Sequence, residues 1–486
     1  MPSSPVAVVL AAGLGTRMRS PLAKVLHPLL GRPMVGWVVH ALRDAGAACV
    51  VVVNHQAEAV MAALTGGAPD AGYRFARQES PLGTGDALRS ALALLPEDGP
   101  VLVTAGDTPL VTAAGFARLL AAHAEGNGRP VTVASFRVDD PTGYGRIVRE
   151  AGGVRIVEQS ECTPAQAAID EVNSGAYVFD ARYLRAQLST LVPHPPKGEY
   201  YLTDLVGEGA AVCEGFAASD FMGVNDRAAL AEARAILRRR VNRAWALAGV
   251  DFEDLDGTQV DAEVVLAPDA SVGLGAVLTG ATRVSGRVGP GCVVRDSVID
   301  GDIGPHCVVN ETTVHAGAIL HAQSVSTGAV LHPGAQAGPF ARLRPGAVLE
   351  DGSHVGNFVE VKNTTLRAGA KANHLTYLGD AEVGAKANVG AGTITCNYDG
   401  FGKHRTVIGP RAFIGSNTAL VAPVTIGEGA LVGAGSTVTE DVPAEAVAIG
   451  RGKQVTRDGL APRLRQRAKE RADAVKAQAA REGGPS

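Results

Sequence analysis

The chain has 486 residues, more than one ordinary hydrophobic core organises, so two or three domains are expected. With 60 glycines and aromatics at only 4%, it is built from small and aliphatic residues, which suggests tight, repeated backbone turns. The 45 basic and 49 acidic residues leave a formal net charge of −4, which excludes the electrostatic footprint of a nucleic-acid or anionic-membrane binder and points to small, soluble substrates.

The N-terminus MPSSPVAVVLAAG has no Lys or Arg before its apolar run, and Gly13 and Gly15 end that run, so neither a signal peptide nor a transmembrane span is expected. Residues 5 to 225 alternate short β-branched runs with helical stretches. Val6 to Leu10, Cys49 to Val53, Val101 to Thr104 and Val131 to Phe136 read as buried strands, and Met34 to Ala45 and Asp86 to Leu95 as helices. This βα alternation predicts a mostly parallel sheet covered on both faces. Asp226 to Ala248 places Leu230, Ala233, Leu237, Val241 and Ala244 on one face of a long connecting helix, with Asn225 or Asp226 as its N-cap.

From about residue 260 the rhythm becomes hexameric. Ile408, Ile414, Leu420, Ile426, Val432 and Val438 recur every six residues, and Gly follows at 409, 415, 427 and 433. Val260, Leu266, Val272 and Leu278, then Leu343, Leu349, Val355 and Val361, repeat the pattern less regularly. Six is neither the helical nor the strand period. It predicts a β-helix in which each hexapeptide is one side of a triangular prism, the aliphatic points inward, and Gly or another small residue takes the corner. The bland alternative for such a run is a structural or regulatory solenoid without chemistry. From Arg451 onward the chain is rich in Arg, Lys and Ala and reads as a partly helical, solvated or disordered tail. Cys49, Cys162, Cys213, Cys292, Cys307 and Cys396 have no C-x-x-C or structural-zinc spacing, so reduced thiols in a cytosol are expected.

Chemistry enters where the first strand runs into LAAGLGTRMRSPLAKVLH. Small residues at 11 to 13, with Gly13 and Gly15, let backbone N–H groups approach a triphosphate, and Arg17 and Lys24 supply charge against it. It is no dinucleotide-binding loop, because Met18 stands where the third Gly of GxGxxG belongs, and GxxxxGK[ST] does not occur. In TAGDTPL, Asp107 follows a buried strand, where a carboxylate can hold Mg²⁺ at the carboxyl edge of the sheet. Between Gly338 and Asp399 the solenoid carries GPFARLRPG, HVGNFVEVKN, NHLTYLGDAEVG and NVGAGTITCNYDG, polar strings that a structural prism does not need.

The first loop resembles the signature of the sugar-1-phosphate nucleotidyltransferases, L-A-A-G-x-G-T-R-M followed by P-K, with Ala23 in place of the common Pro and Leu14 in place of a frequent basic residue. The resemblance implies that Leu10, Ala11, Ala12, Gly13, Arg17 and Lys24 meet the nucleotide phosphates, and that Gln78, Gly83 and Thr84 recognise the base. It implies further that Ala105, where the family has a bulkier residue, stands with Gly106 and Asp107 in the same site. Gly145, Glu158 and Asn173 would hold the sugar, with Asn225 as second Mg²⁺ ligand beside Asp107. Asn225 taken alone reads as a helix cap, and both roles can coexist through different atoms.

Together with the solenoid strings, residues 5 to 452 resemble the bifunctional bacterial N-acetylglucosamine-1-phosphate uridyltransferase/glucosamine-1-phosphate acetyltransferases. That likeness implies a Rossmann-like α/β domain over 1–225, a connecting helix over 226–250, a left-handed parallel β-helix over 251–452 and a basic tail over 453–486. The activity implied is acetylation of glucosamine-1-phosphate by acetyl-CoA, then transfer of UMP from UTP to give UDP-N-acetylglucosamine, in a cytoplasmic homotrimer. His374 would be the general base. Arg344 and Lys362, three hexapeptides apart and so on one prism edge, would bind the substrate phosphate. Tyr377 and Asn388 would contact the sugar, and Ala391, Asn397, Tyr398, Ser416, Ala434 and Arg451 the acyl donor. Two alternatives stay open in the residues alone: another sugar nucleotidyltransferase with a regulatory solenoid, which would lack the Arg344, Lys362, His374 and Asn388 set, or a non-catalytic assembly solenoid, which would not need Asp107 and Asn225.

Overall fold

In a computed structural model, which describes residues 5–66, 72–126, 128–196 and 198–482, the chain divides into two compact units, Met1–Phe340 and Ala341–Ser486. Residues 1–4, at the start of the stretch read above as neither leader nor span, lie outside the described residues. Among the described residues no helix is long and apolar enough to cross a membrane.

The first unit opens with a mixed sheet. Its order is Ala211–Cys213, Val131–Arg137, Glu171–Asp180, Pro100–Ala105, Val6–Leu10, Ala48–Val53 and Tyr73–Arg77. The run from Pro100–Ala105 to Tyr73–Arg77 is parallel, as the β-branched strands predicted, but Glu171–Asp180 enters antiparallel to both of its neighbours. Strands buried on both faces need unbroken apolar runs. Val8, Val50 and Val103 pack to one side, while Ala7, Val9, Val51 and Leu102 pack to the other with Val35, Val38, Val39 and Leu42 of the helix Met34–Asp44. The expected helix at Asp86 to Leu95 is shorter: Thr84–Ser90 is α-helical and Leu92–Leu94 forms a separate 3₁₀ turn.

The connecting helix runs from Arg227 to Leu247, and Asp226 is its N-cap, accepting from the Ala229 amide at 2.9 Å. Leu230, Ala233 and Leu237 face a small core with Met18, Leu29, Met34 and Leu110. The capping role considered for Asn225 therefore belongs to its neighbour, which leaves the Asn225 side chain free for the site.

From Asp251 the first unit coils as the hexads predicted. Three series of short strands each pair in parallel with the strand one coil on, as Val277 with Val293 and Val293 with Val308. The second unit repeats this architecture, with Asn388 paired to Phe413, Phe413 to Leu431 and Leu431 to Val447. The fold is a left-handed parallel β-helix. Val260, Leu278, Leu343, Val361, Ile414, Leu420 and Val432 are all at most 1% exposed, each contributing about 1.5–3 kcal/mol by burial. At Gly409, after Ile408, the stacking leaves no room for a side chain: a Cβ there would lie 2.6 Å from the Glu428 backbone nitrogen. One coil is longer, since Ile394 pairs with Ala419 and residues 397–405 loop out between them. Beyond the last coil, Leu460–Glu482 is a helix, exposed throughout residues 461–478.

Candidate active sites

In the first unit Leu10 and Ala105 end adjacent parallel strands in register, so both chains leave the sheet at the same carboxyl edge. The phosphate loop folds back there because Gly15 takes φ +61 and has no Cβ; one would stand 2.5 Å from the Cβ of Lys24. Lys24 is thereby only 9% exposed, with its ammonium against the Asp107 carboxylate and donating to Asn225 Oδ1 at 2.7 Å. Arg17 Nη2 donates to the same oxygen at 3.0 Å, and the Val224 amide donates to the Asp107 carbonyl at 2.9 Å, tying the two loops together.

A carboxylate and a carboxamide oxygen thus converge on one cationic atom. Mg²⁺ takes one or two such protein oxygens and otherwise water and substrate phosphates. The two residues fit the ion, and the ammonium of Lys24 marks where positive charge is held. Among the described residues no group of three or more His, Cys, Asp or Glu makes a metal cage.

Two adjoining cavities open beside this cluster. One, of about 460 Å³, is lined by Leu10, Ala12, Gly13, Arg17, Lys24, Gln78, Gly83, Thr84, Ala105, Asp107 and Asn225, so nearly all of the expected nucleotide residues meet in it. Ala11 and Gly106 stand behind the loop, Gly106 with space for its Cβ only 3.3 Å from that of Ala11. Gln78 is buried and its amide is anchored by donation to Asp86 Oδ2 at 2.8 Å. The other cavity, of about 560 Å³, holds Glu158 and Asn173 with Tyr177, Tyr201 and Thr203. Asn173 Nδ2 donates to the Tyr177 hydroxyl at 2.7 Å, and a Cβ on Gly145 would lie 2.8 Å from Ile156 and 3.6 Å from the Cβ of Asn173, which makes that glycine its backing. Burial pushes the Glu158 carboxyl above the usual range, opposed by the Thr203 hydroxyl donating at 3.1 Å.

Sequence reasoning missed Tyr177, Tyr201 and Thr203, and also Gln56. The Gln56 side chain accepts from the Ala23 amide at 2.9 Å and donates to the Pro21 carbonyl at 2.6 Å, pinning the backbone just before Lys24. Nothing local distinguishes a glutamine at a helix start, so only the fold reveals it.

In the second unit, Leu343, Val361 and Leu378 stack in register, which sets Arg344 beside Lys362 one coil on. Each cation has a carboxylate: Arg344 meets Glu360 at 2.8 Å and Lys362 meets Asp380 at 3.0 Å. His374 is exposed at the end of the strand Lys371–His374, whose first residue pairs with Asn388. His374 Nδ1 lies 2.9 Å from Asn357 Oδ1, an acceptor, so the hydrogen is assigned to Nδ1 and the Nε2 lone pair is left to take a proton. Tyr377 and Asn397 close over Gly379, where a Cβ would be 2.4 Å from the Tyr377 hydroxyl and 2.8 Å from Asn397 Nδ2.

Ala391, Ser416 and Ala434 each stand two residues past one of the in-register aliphatics Val389, Ile414 and Val432, so they climb one edge of the prism, and Arg451 Nη1 reaches the Ala434 carbonyl at 2.7 Å. Tyr398 is the second residue of the long loop. Asp399 organises that loop, accepting from the Phe401 and Gly402 amides and from His404, and these bonds hold its carboxyl far below the usual range. The loop also brings in Lys403, whose ammonium is pushed below the usual lysine range by the neighbouring Lys362. Asn357, Glu360 and Asp380 lay unread inside the polar strings already singled out; Lys403 lay outside them.

The sheet with its phosphate loop, followed by a hexapeptide solenoid with a histidine and paired cations on its edge, defines a nucleotidyltransferase joined to an acyltransferase. The family models agree: residues 7–167 match the MobA-like NTP transferase domain and residues 405–440 the bacterial transferase hexapeptide (six repeats). Curated relatives called bifunctional protein GlmU align along nearly their whole length. The relative from Trichlorobacter lovleyi is 48% identical over 93% of this chain and 97% of its own, and that from Sorangium cellulosum is 44% identical over 97% and 99%. The chain belongs to the GlmU family and carries both of its activities, uridyltransferase and glucosamine-1-phosphate acetyltransferase.

Proposed function

We propose that the two reactions run at the two residue clusters described above, acetylation first and uridylyl transfer second. The single observation that carries the first cluster is the convergence of Lys24, Asp107 and Asn225 on one point at the edge of the nucleotide cavity. The phosphate oxygen of N-acetylglucosamine-1-phosphate attacks the α-phosphorus of UTP and pyrophosphate leaves, so two polyanions must meet. Lys24 and Arg17 lower their repulsion, Gln78, Gly83 and Thr84 hold the base, and Gly145, Glu158 and Asn173 hold the sugar. Mg²⁺, held by Asp107 and Asn225, supplies further neutralisation of the phosphates.

In the second cluster Arg344 and Lys362 take the phosphate of glucosamine-1-phosphate, with Tyr377 and Asn388 on the sugar. His374 Nε2 removes the proton as the amine attacks the acetyl-CoA thioester, and the thiolate leaves. Asn357, through Nδ1, keeps the imidazole in the tautomer this needs. Ala391, Asn397, Tyr398, Ser416, Ala434 and Arg451 hold coenzyme A, the arginine toward its phosphates. The product is a precursor of peptidoglycan and lipopolysaccharide, made in the cytoplasm, where six unpaired cysteines are at home. Domain limits at 225, 250 and 452 follow the two clusters and the helix between them. An assay with glucosamine-1-phosphate, acetyl-CoA, UTP and Mg²⁺, each omitted in turn, separates the steps. UDP-glucosamine formed from glucosamine-1-phosphate and UTP when acetyl-CoA is left out would sink the order of acetylation before uridylyl transfer.

The solenoid is proposed to assemble as a homotrimer. Phe413, Leu431 and Val447 form an in-register ladder 47%, 44% and 65% exposed, and Phe358 and Leu375, beside His374, are exposed as well. Such apolar rows are costly in water and suit a second copy of the chain. Light scattering should give three times the chain mass. A monomer that still acetylates at high dilution would defeat this reading.

A further inference from the structure

Asp380 has no part in the chemistry above, yet it has more side-chain partners than its neighbours. It accepts from Lys362 Nζ at 3.0 Å, from Asn363 Nδ2 at 2.7 Å and from Asn397 Nδ2, and it is only 13% exposed in its side chain. Lys362 stands on the sugar-phosphate side of the site, and Asn397, itself 7% exposed, on the acyl-donor side. One carboxylate therefore touches both subsites. Burial opposes its ionisation, but the bonds from Asn363, Lys362 and Asn397 outweigh this and hold the carboxyl below the usual range. The Asp380 carboxylate in turn holds the Lys362 ammonium above the usual lysine range.

We propose that Asp380 is a positioning residue that couples the two substrate subsites of the acetyl site, by sharing one carboxylate between Lys362 and Asn397. The inference rests on the assignment of those two residues to the phosphate and to the acyl donor. A phosphate arriving at Lys362 competes with Asp380 for the ammonium. The carboxylate then bears more fully on the Asn397 amide and fixes it for the donor. By linkage a donor that fixes Asn397 favours the phosphate by the same factor. A merely structural carboxylate would support the coil without tying the two affinities together.

The test uses a pair that binds without reacting, glucosamine-1-phosphate and free coenzyme A, titrated calorimetrically on the full chain. In the wild type, saturating coenzyme A should tighten the sugar phosphate by about 5-fold or more. Asp380→Asn should bind it with the same affinity whether or not coenzyme A is present. Asn suits this variant because Asp380 lies at φ +50, a left-handed conformation that Asp and Asn adopt more readily than most residues. Asn397→Ala cuts the same bridge from the other end and should also abolish the coupling, so the proposal stays testable should Asp380→Asn not fold. Asn363→Ala, which removes a bond outside the bridge, should keep it.

Coupling that survives in Asp380→Asn or Asn397→Ala, or that is absent from the wild type, overturns the inference while leaving the subsites as assigned. If Lys362→Ala leaves the affinity for glucosamine-1-phosphate unchanged, the subsite assignment falls and the inference with it.

Discussion

Asp107→Ala is expected to abolish uridylyl transfer while acetylation continues. The Asp107 carboxylate is the anionic member of the cluster with Lys24 and Asn225, and without it no full negative charge remains there to retain Mg²⁺ against two incoming polyanions. Several kcal/mol of charge stabilisation go with the ion, which at about 1.36 kcal/mol per decade is a loss of about 10³-fold or more. Asp107→Asn, which keeps an oxygen and drops the charge, should fall between the two. Pyrophosphate release from UTP and N-acetylglucosamine-1-phosphate, followed across Mg²⁺ concentrations, reads this out. Transfer at an ordinary rate and ordinary Mg²⁺ would remove Asp107 from the site.

The second large effect belongs to His374. Its Nδ1 is engaged with Asn357 Oδ1, so Nε2 is the one ring position that can take the amine proton. His374→Ala should lower acetyl transfer by roughly 10² to 10⁴, the usual loss with a general base, and leave uridylyl transfer from ready-made N-acetylglucosamine-1-phosphate near normal. Lys24→Ala should do the reverse, since Lys24 serves only the phosphate loop. Each variant would be assayed for both reactions, with circular dichroism as the check on folding. Equal damage to both reactions in His374→Ala would mean that the solenoid regulates the first site instead of carrying its own.

The organisation of the chain was legible locally wherever a period or a turn encodes it. An aliphatic at every sixth position, from Ile408 to Val438, can be buried together only by a coil that turns every six residues, and those side chains are buried as the spacing required. Gly15 and the small residues before it likewise announce a loop that lets Lys24 close in. The motifs went further, since nearly all of the residues they singled out for a nucleotide line one cavity, though Glu199 and Tyr201, which line it too, were not among them.

What the spacing could not decide depends on which backbone lies beside which. Asn225 and Asp226 are equally good caps by residue type; the geometry of the helix start gives the cap to Asp226 and turns Asn225 toward Lys24, 201 positions away in sequence. The antiparallel entry of Glu171–Asp180 is invisible in its residues, because the buried run Ala176 to Phe179 meets the same need for apolar side chains whichever way the strand runs. Asp380 and Asn357 lie inside polar strings that mark a site without saying what either residue meets. They become partners of Lys362, Asn397 and His374 only because the coil returns each to the same edge one turn later, and that contact is a property of the stacked fold, not of any stretch of sequence.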